Sequence, residues 1–231
     1  MTVDLASTRN AATVERMRRD LTTKGYARAT DDALGVPPHF RKLLVQRYFD
    51  GGALRSDVPD VPADRERARD VVRYAWQDEA VELEEHDTVA IINRGEQAGV
   101  REYNRVHTLD DDLFEPWIAM VLSLVPTERR AEAGTFGVNL MRTHTLVVTK
   151  PHRDDEEFII TYVVDRVGEG AETHLYDPET GEVVFRVQLD PGDLLIFEDK
   201  RFLHNVTRLE PWPGSPAHRD ALVCTVDYRS A

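Results

Sequence analysis

His152 and Asp154 stand two apart in Pro151-His-Arg-Asp154. On an extended strand, residues i and i+2 point to the same face, so an imidazole and a carboxylate at this spacing can converge on one ion. A third ligand must then come from elsewhere. His204 is the candidate: it lies in Phe202-Leu-His-Asn-Val206, after the apolar run Asp193-Leu-Leu-Ile-Phe197. Two histidines and one carboxylate on one face of an octahedron form the facial triad that holds non-haem Fe(II). That arrangement leaves three positions open, two for a chelating 2-oxo acid and one for dioxygen. Zinc competes for such a set, because two histidines and a carboxylate also make catalytic zinc sites. The sequence has no His-Glu-x-x-His helix and no obvious general base spaced for hydrolysis.

Arg219 follows in His218-Arg-Asp-Ala-Leu-Val-Cys-Thr225. A strand-borne arginine near a metal can grip the far carboxylate of 2-oxoglutarate through a bidentate fork, which a lysine cannot offer. Each piece alone has a plainer explanation. A His-x-Asp triplet often sits in a surface loop, a lone histidine is commonly a hydrogen-bonded core residue, and a lone arginine is commonly half of a surface ion pair. The order is more specific than the parts: triplet, β-patterned chain, His204, then Arg219 on the last strand.

Those residues need elements to carry them, and the texture of the chain changes near residue 134. Before it, helical patterns dominate. Ala12–Lys24 places Val14, Met17 and Leu21 at helical spacing and stops at Gly25; Pro37–Phe49 and Asp64–Trp76 are expected to be further amphipathic helices. Asp111–Ala133 carries Leu113, Trp117, Met120, Val121 and Leu124 on one face, with Pro126 ending or interrupting the helix. Val89–Asn93 is a short β-like run.

After residue 134 the period is two. Strands are expected at Phe136–Arg142, Thr145–Thr149, Phe158–Asp165, Thr173–Tyr176, Glu182–Leu189, Leu194–Glu198, Asn205–Leu209 and Ala221–Tyr228. Turns fall at Asp177-Pro-Glu-Thr-Gly181 and Asp190-Pro-Gly-Asp193, and Glu210–Ala217 reads as a loop beside the pocket. Many short strands between Gly/Pro turns argue for a sandwich or barrel, and helices packed outside it give an α+β layout. One domain is expected over 1–231, with 1–134 mainly helical support and 135–231 the β core.

Composition narrows the function classes. Forty-two acidic residues against 29 Lys and Arg give a net charge of -13, which repels a phosphate backbone and argues against nucleic acid. The single cysteine, Cys224, rules out an internal disulfide and fits a reducing compartment; its apolar, alternating surroundings suggest a buried strand residue. No apolar stretch approaches the roughly 20 residues needed to span a bilayer. The opening residues, MTVDLASTRN, lack the apolar core of a signal peptide. A cytoplasmic protein with no membrane partner is expected; the oligomeric state is left open.

From about Phe136 to Tyr228 the chain resembles the small bacterial 2-oxoglutarate/Fe(II) dioxygenases that hydroxylate free L-amino acids, the group containing isoleucine hydroxylase. The resemblance rests on His152-Arg-Asp154, Gly170-Ala-Glu-Thr-His-Leu-Tyr-Asp177, Asp190-Pro-Gly-Asp-Leu-Leu-Ile-Phe197, His204 and Arg219-Asp-Ala-Leu-Val223. Tyr103-Asn-Arg-Val-His107 is similar to the family's segment before the long helix. The resemblance implies a double-stranded β-helix (jelly-roll, cupin-like) core, iron on His152, Asp154 and His204, and Arg219 as the 2-oxoglutarate anchor. The family often has glycine after the triplet, where this chain has Asp155-Glu-Glu157, and Gly170-Ala171 stands for an expected Gly-Gly pair. Related halogenases replace the ligand carboxylate with a small residue, so the presence of Asp154 favours hydroxylation, desaturation or another halide-free oxidation.

The expected cofactors are Fe(II), 2-oxoglutarate and dioxygen, with ascorbate as reductant in vitro. The expected substrate is a small molecule, a free L-amino acid or an amino-acid-derived natural-product intermediate. For its carboxylate the candidates are Arg94, Arg105 and Arg142; for its amine, Asp155, Glu156 and Glu157; for hydrogen bonds, Tyr103 and His107. Two other classes stay open at this point: a cupin-like metal or small-molecule binding module without oxidation chemistry, and a zinc hydrolase on a β scaffold.

Overall fold

Period-two burial in the second half of the chain produces the sheet the pattern foretells. The computed structural model describes residues 8–54, 65–87, 89, 91–93, 99–101, 105–144 and 150–228. The helices are α1 (Thr8–Lys24), α2 (Asp31–Leu34), α3 (His39–Leu44, continued by a π turn Val45–Phe49) and α4 (Phe114–Ser123). The strands are β1 (Tyr26–Thr30), β2 (Arg65–Gln77), β3 (Ala80–Glu85), β4 (Ile91–Asn93), β5 (Gly99–Arg101), β6 (Ala133–Thr143), β7 (Phe158–Val167), β8 (Glu169–Gly170), β9 (Glu172–Tyr176), β10 (Val183–Gln188), β11 (Asp193–Glu198), β12 (Leu203–Val206), β13 (Leu209–Glu210) and β14 (His218–Asp227).

A seven-stranded sheet runs β1-β11-β7-β14-β6-β2-β3, and a three-stranded sheet runs β10-β9-β12. The pairings in both are antiparallel. The small sheet gains a further edge at His152, whose N–H donates to the His204 carbonyl at 3.1 Å and whose carbonyl accepts from His204 N–H at 2.9 Å.

The large sheet is buried on both faces, which is why β7 and β11 read as near-continuous apolar runs rather than clean alternation. Alternate residues separate the two faces. Phe136, Val138, Leu140, Ile160, Tyr162, Leu222 and Cys224 pack outward against Met17, Leu21, Phe40, Trp117, Ile118 and Leu122 of the helices. Ile159, Val163, Leu195 and Phe197 point inward, with Leu175, Leu189 and Phe202. The inward face lines the space between the sheets. Burial pushes the Cys224 thiol well above its ordinary value, in keeping with an apolar core residue. Among the described residues no helix is long and apolar enough to cross a membrane.

Helix α1 ends where expected, on Gly25. Its φ of +82° suits glycine, and a Cβ there would meet Arg201 Cδ at 2.6 Å. The helix expected from Asp111 begins only at Phe114, with Asp111 Oδ1 accepting the Leu113 N–H at 3.1 Å, and stops before Pro126. Pro116 is tolerated because it lies in the first turn. The strand expected at Thr145–Thr149 falls outside the described residues.

Asp64–Trp76 is a correction. This stretch is not a helix but β2, paired with β6 from Arg65↔Thr143 to Ala75↔Ala133. The apolar Ala68, Val71, Val72 and Ala75 mimic a helical repeat, yet the burial follows period two. Ala68, Asp70, Val72 and Tyr74 turn to the helices, while Arg65, Arg67 and Arg69 lie on the other face. The adjacent β-branched Val71 and Val72 and the aromatic Tyr74 and Trp76 prefer a strand, and tertiary pairing decides. The division at residue 134 therefore does not separate helix from sheet, since β1, β2 and β3 all belong to the large sheet.

The two departures from the family pattern both sit at left-handed backbone: Asp155 at φ +63° and Ala171 at φ +51°. Asp155 can adopt this conformation because a short polar side chain tolerates it. Ala171 has no such compensation and is buried against Leu209 and Ala217. Ala171→Gly is therefore expected to raise stability by about 0.5–1 kcal/mol, read as the shift in urea midpoint at unchanged slope. A loss of stability would mean that the alanine methyl packing outweighs the backbone strain.

Candidate metal centre

The triplet is held extended by its pairing with the small sheet. His152 bridges to His204 through both backbone hydrogen bonds, and Arg153 points the opposite way, its Nε donating to the Phe202 carbonyl at 3.2 Å. His152 and Asp154 therefore share a side, as the spacing requires. His152 Nε2 lies 3.7 Å from Asp154 Oδ1, and His204 Nε2 lies 3.7 Å from Asp154 Oδ2. The two imidazole centroids are 4.5 Å apart. Potential ligand atoms of His152, Asp154 and His204 all fall within 4.8 Å of one another, a spacing suited to a single ion among them.

The ring nitrogens facing away from that point are also placed. His152 Nδ1 lies 2.9 Å from the Lys150 carbonyl oxygen, which can only accept, so Nδ1 is the donor and Nε2 is the nitrogen turned to the prospective ion. His204 Nδ1 lies 3.2 Å from Oδ1 of Asp199. Asp199 is fully buried, and its Oδ2 accepts the backbone N–H groups of Asp154 at 2.9 Å and Glu156 at 3.1 Å. One carboxylate thus holds the backbone of Asp154 and lies close behind His204, whose Nδ1 makes no hydrogen bond to it. The sequence reading did not single out Asp199. The one local signal is an acidic residue directly after the fully buried strand β11, where a charge is retained only with partners.

Arg219 is on the inward face of β14. Its neighbour Asp220 faces the helices and is bound there by Arg142. Arg219 is 7% exposed, and its Nε and Nη2 have no hydrogen-bond partner in the protein. Burial, then the nearby Arg166 charge, pulls its pKa down to about 10. A buried guanidinium with unmet donors fits an anionic partner such as the far carboxylate of a 2-oxo diacid. The donor set of the triad likewise fits a divalent iron: two imidazoles and one carboxylate.

The remaining candidates are scattered. Arg142 turns to the helical side, with Nε and Nη2 each 2.7 Å from Asp220 carboxylate oxygens, Nη1 donating to the Phe49 carbonyl and Nη2 close to Asp50. The sheet separates it from the triad, so it is an ion-pair residue of the helix–sheet interface. Arg142→Leu would strand the fully buried Asp220. It is expected to cost roughly 3 kcal/mol in denaturant titration while leaving the turnover of folded protein intact. A selective rise in substrate KM at unchanged stability would restore Arg142 to the binding site. Arg105 is engaged with the His86 carbonyl and near Asp70 and Glu85, and His107 Nδ1 sits 3.0 Å from Glu85, at the β3 edge of the large sheet. Asp155 is exposed at its turn. Glu156 contributes its N–H to Asp199. Glu157 pairs with Lys200, and its N–H bonds Val226. Arg94 and Tyr103 lie outside the described residues.

A two-sheet antiparallel core with a His-Asp-His cluster and a buried inward arginine defines a class of jelly-roll oxygenases, and the match to a family model agrees. The model described as 2OG-Fe dioxygenase matches residues 38–225, and the chain belongs to that family. Its members use Fe(II), 2-oxoglutarate and dioxygen. Among solved structures the chain is similar to a bsmA homolog from Methylobium petroleophilum PM1, with 22% identity, 98% of this chain and 96% of that one covered, and a TM-score of 0.76. It is also similar to IDO from Bacillus thuringiensis, with 17% identity, coverage of 94% and 96%, and a TM-score of 0.70. A Pseudomonas putida prolyl-4-hydroxylase shares 13% identity over 94% of this chain and 98% of that one, with a TM-score of 0.56. At these identities the likeness is one of fold. A search of curated proteins finds no match.

Proposed function

We propose that this oxygenase hydroxylates an unactivated C–H bond of a free L-amino acid or an amino-acid-derived natural-product intermediate. In this reading iron is held by His152, Asp154 and His204, and the far carboxylate of 2-oxoglutarate by Arg219. The observation that carries it is the convergence of three ligand side chains within 4.8 Å in a fold whose interior also presents a buried arginine with unmet donors.

When bound, iron and 2-oxoglutarate supply the oxidising chemistry, with the 2-oxo acid converted to succinate and carbon dioxide as dioxygen is consumed. The chain's own residues position and shield. His152 and His204 would each turn Nε2 to the metal, with His152 Nδ1 bound to the Lys150 carbonyl and the Asp199 carboxylate close to His204 Nδ1. Asp154 supplies one negative charge and occupies a place that a halide would otherwise need, so hydroxylation is favoured over halogenation. Arg219 fixes the far end of the 2-oxo acid, which sets the orientation of the chelating keto-acid head. A substrate carboxylate would meet positive charge from the arginines on the inward face of β2, Arg67 and Arg69. The sequence reading missed these because it made β2 a helix.

The test is aerobic and anaerobic incubation with Fe(II), ascorbate, 2-oxoglutarate and a panel of amino acids and derivatives, read as succinate and product mass. Oxygen-dependent succinate, with a product heavier by one oxygen atom for at least one substrate, is expected. Metal binding without succinate from any of them would instead favour a non-oxidative cupin-like module. Turnover of a hydrolysable substrate without dioxygen would favour a zinc hydrolase.

A further inference from the structure

Reading across the large sheet, Arg65 pairs with Thr143, Thr143 with Arg219, and Arg219 with Arg166. Directly opposed residues on an antiparallel ladder share a face, with Cβ atoms about 4.5–5.5 Å apart. Arg166 and Arg219 are therefore side by side on the inward face. The irregularity between Asp220 and Ala221 preserves this. It leaves Asp165, His218 and Asp220 facing the helices, where His218 Nε2 lies 3.1 Å from Asp165.

The Arg166 side chain is 10% exposed. Its Nη2 donates to Asp190 at 2.6 Å, while its Nε and Nη1 are buried without partners. Arg219 adds two more buried donors without partners, at Nε and Nη2. Two like charges on opposed positions of a buried face repel each other, and each unmet donor adds a desolvation cost. Asp190 neutralises only one side of Arg166 and is itself largely exposed. An anion lying between the two forks would satisfy the donors and cancel the repulsion together.

We propose that Arg166 and Arg219 form one two-guanidinium seat for the far carboxylate of 2-oxoglutarate, with Arg166 a second positioning residue beside Arg219. This rests on the oxygenase reading above and deepens it. The seat grips one end of the 2-oxo acid, whereas the metal grips the other. It therefore acts only on acids that carry a second carboxylate. A free dianion such as sulfate fits the same donors without touching the metal.

The experiment is calorimetric titration of the manganese-loaded protein with 2-oxoglutarate and, separately, with 2-oxobutyrate, which chelates identically but lacks the far carboxylate. Arg166→Gln is expected to weaken 2-oxoglutarate roughly tenfold to a hundredfold and to leave 2-oxobutyrate unchanged. Arg166→Lys, which keeps the charge but not the fork, is expected to fall between that variant and the wild type and serves where the glutamine variant fails to fold. In the wild type, sulfate should compete with 2-oxoglutarate and not with 2-oxobutyrate. Equal affinity of variant and wild type for 2-oxoglutarate overturns the seat and leaves the oxygenase reading standing. Equal weakening of both acids also overturns it, by showing a merely structural arginine. A wild-type protein that binds neither acid removes the oxygenase reading, and the seat with it.

Discussion

Replacing Asp154 with alanine is expected to reduce oxygen-dependent succinate formation to background and to weaken metal binding by more than about a hundredfold, beyond what loss of an outer-shell partner costs. The geometry gives the reason. Asp154 reaches both histidines, with one oxygen 3.7 Å from His152 Nε2 and the other 3.7 Å from His204 Nε2. It is also the only anion among the three prospective ligands, so its loss removes both a bond and the charge that favours a divalent ion over water. Its side chain is 44% exposed, so the substitution opens no core cavity and the fold should persist. Competition with a fluorescent chelator measures the affinity, and succinate release measures the turnover. A variant that retains full turnover would take Asp154 out of the ligand set.

The second large effect is expected at Asp199, although it touches no prospective substrate. Asp199→Ala removes the acceptor for the Asp154 and Glu156 N–H groups and the carboxylate behind His204 Nδ1. Loss of such an outer partner costs about tenfold to a hundredfold in metal affinity. The two backbone N–H groups left without an acceptor would also lower stability by roughly 2–4 kcal/mol. Asp199→Asn separates the two consequences. Its amide oxygen can still accept from one ligand-bearing segment, but its NH2 cannot accept from His204. It should recover part of the stability while metal affinity stays reduced. Stability lost with metal affinity unchanged in both variants would reduce Asp199 to a structural residue.

What the residues alone disclose depends on how far a signal travels along the chain. The His152–Asp154 spacing is local, and the strand period that makes it meaningful is local too, so the pair was legible. So were β7, β9, β10, β11 and β14, whose apolar runs and Gly/Pro turns stand close together. His204 and Arg219 stand out as candidates because order along the chain substitutes for proximity. The failures are non-local. β2 carries arginine at 65, 67, 69 and 73 and apolar residues at 68, 71 and 72, which satisfy a helical template as well as a strand. Only pairing with β6 decides between them. Arg142 and Arg219 illustrate a matter of parity: both are strand arginines, and cross-strand neighbours Arg142 and Asp220 face the helices while Arg219 faces inward. Without the register, no composition rule tells one from the other. Arg166 has no signature until two strands meet, and Asp199 has only the faint one of an acid directly after a buried strand until three segments meet.

The bridge between His152 and His204 has a consequence for how the barrel edge breathes. Each residue's amide hydrogen is held by the other's carbonyl, so neither can open to solvent without releasing its partner. A two-bond bridge at a sheet edge would ordinarily fray readily. An ion bound by both imidazoles fastens the same two residues a second time and closes the chain between them into a loop, which lowers the entropy of the opened form. Amide exchange at 152 and 204 would then track metal occupancy, slow when loaded and fast after chelation. In that case the metal is also the clasp that keeps the rim of the small sheet shut.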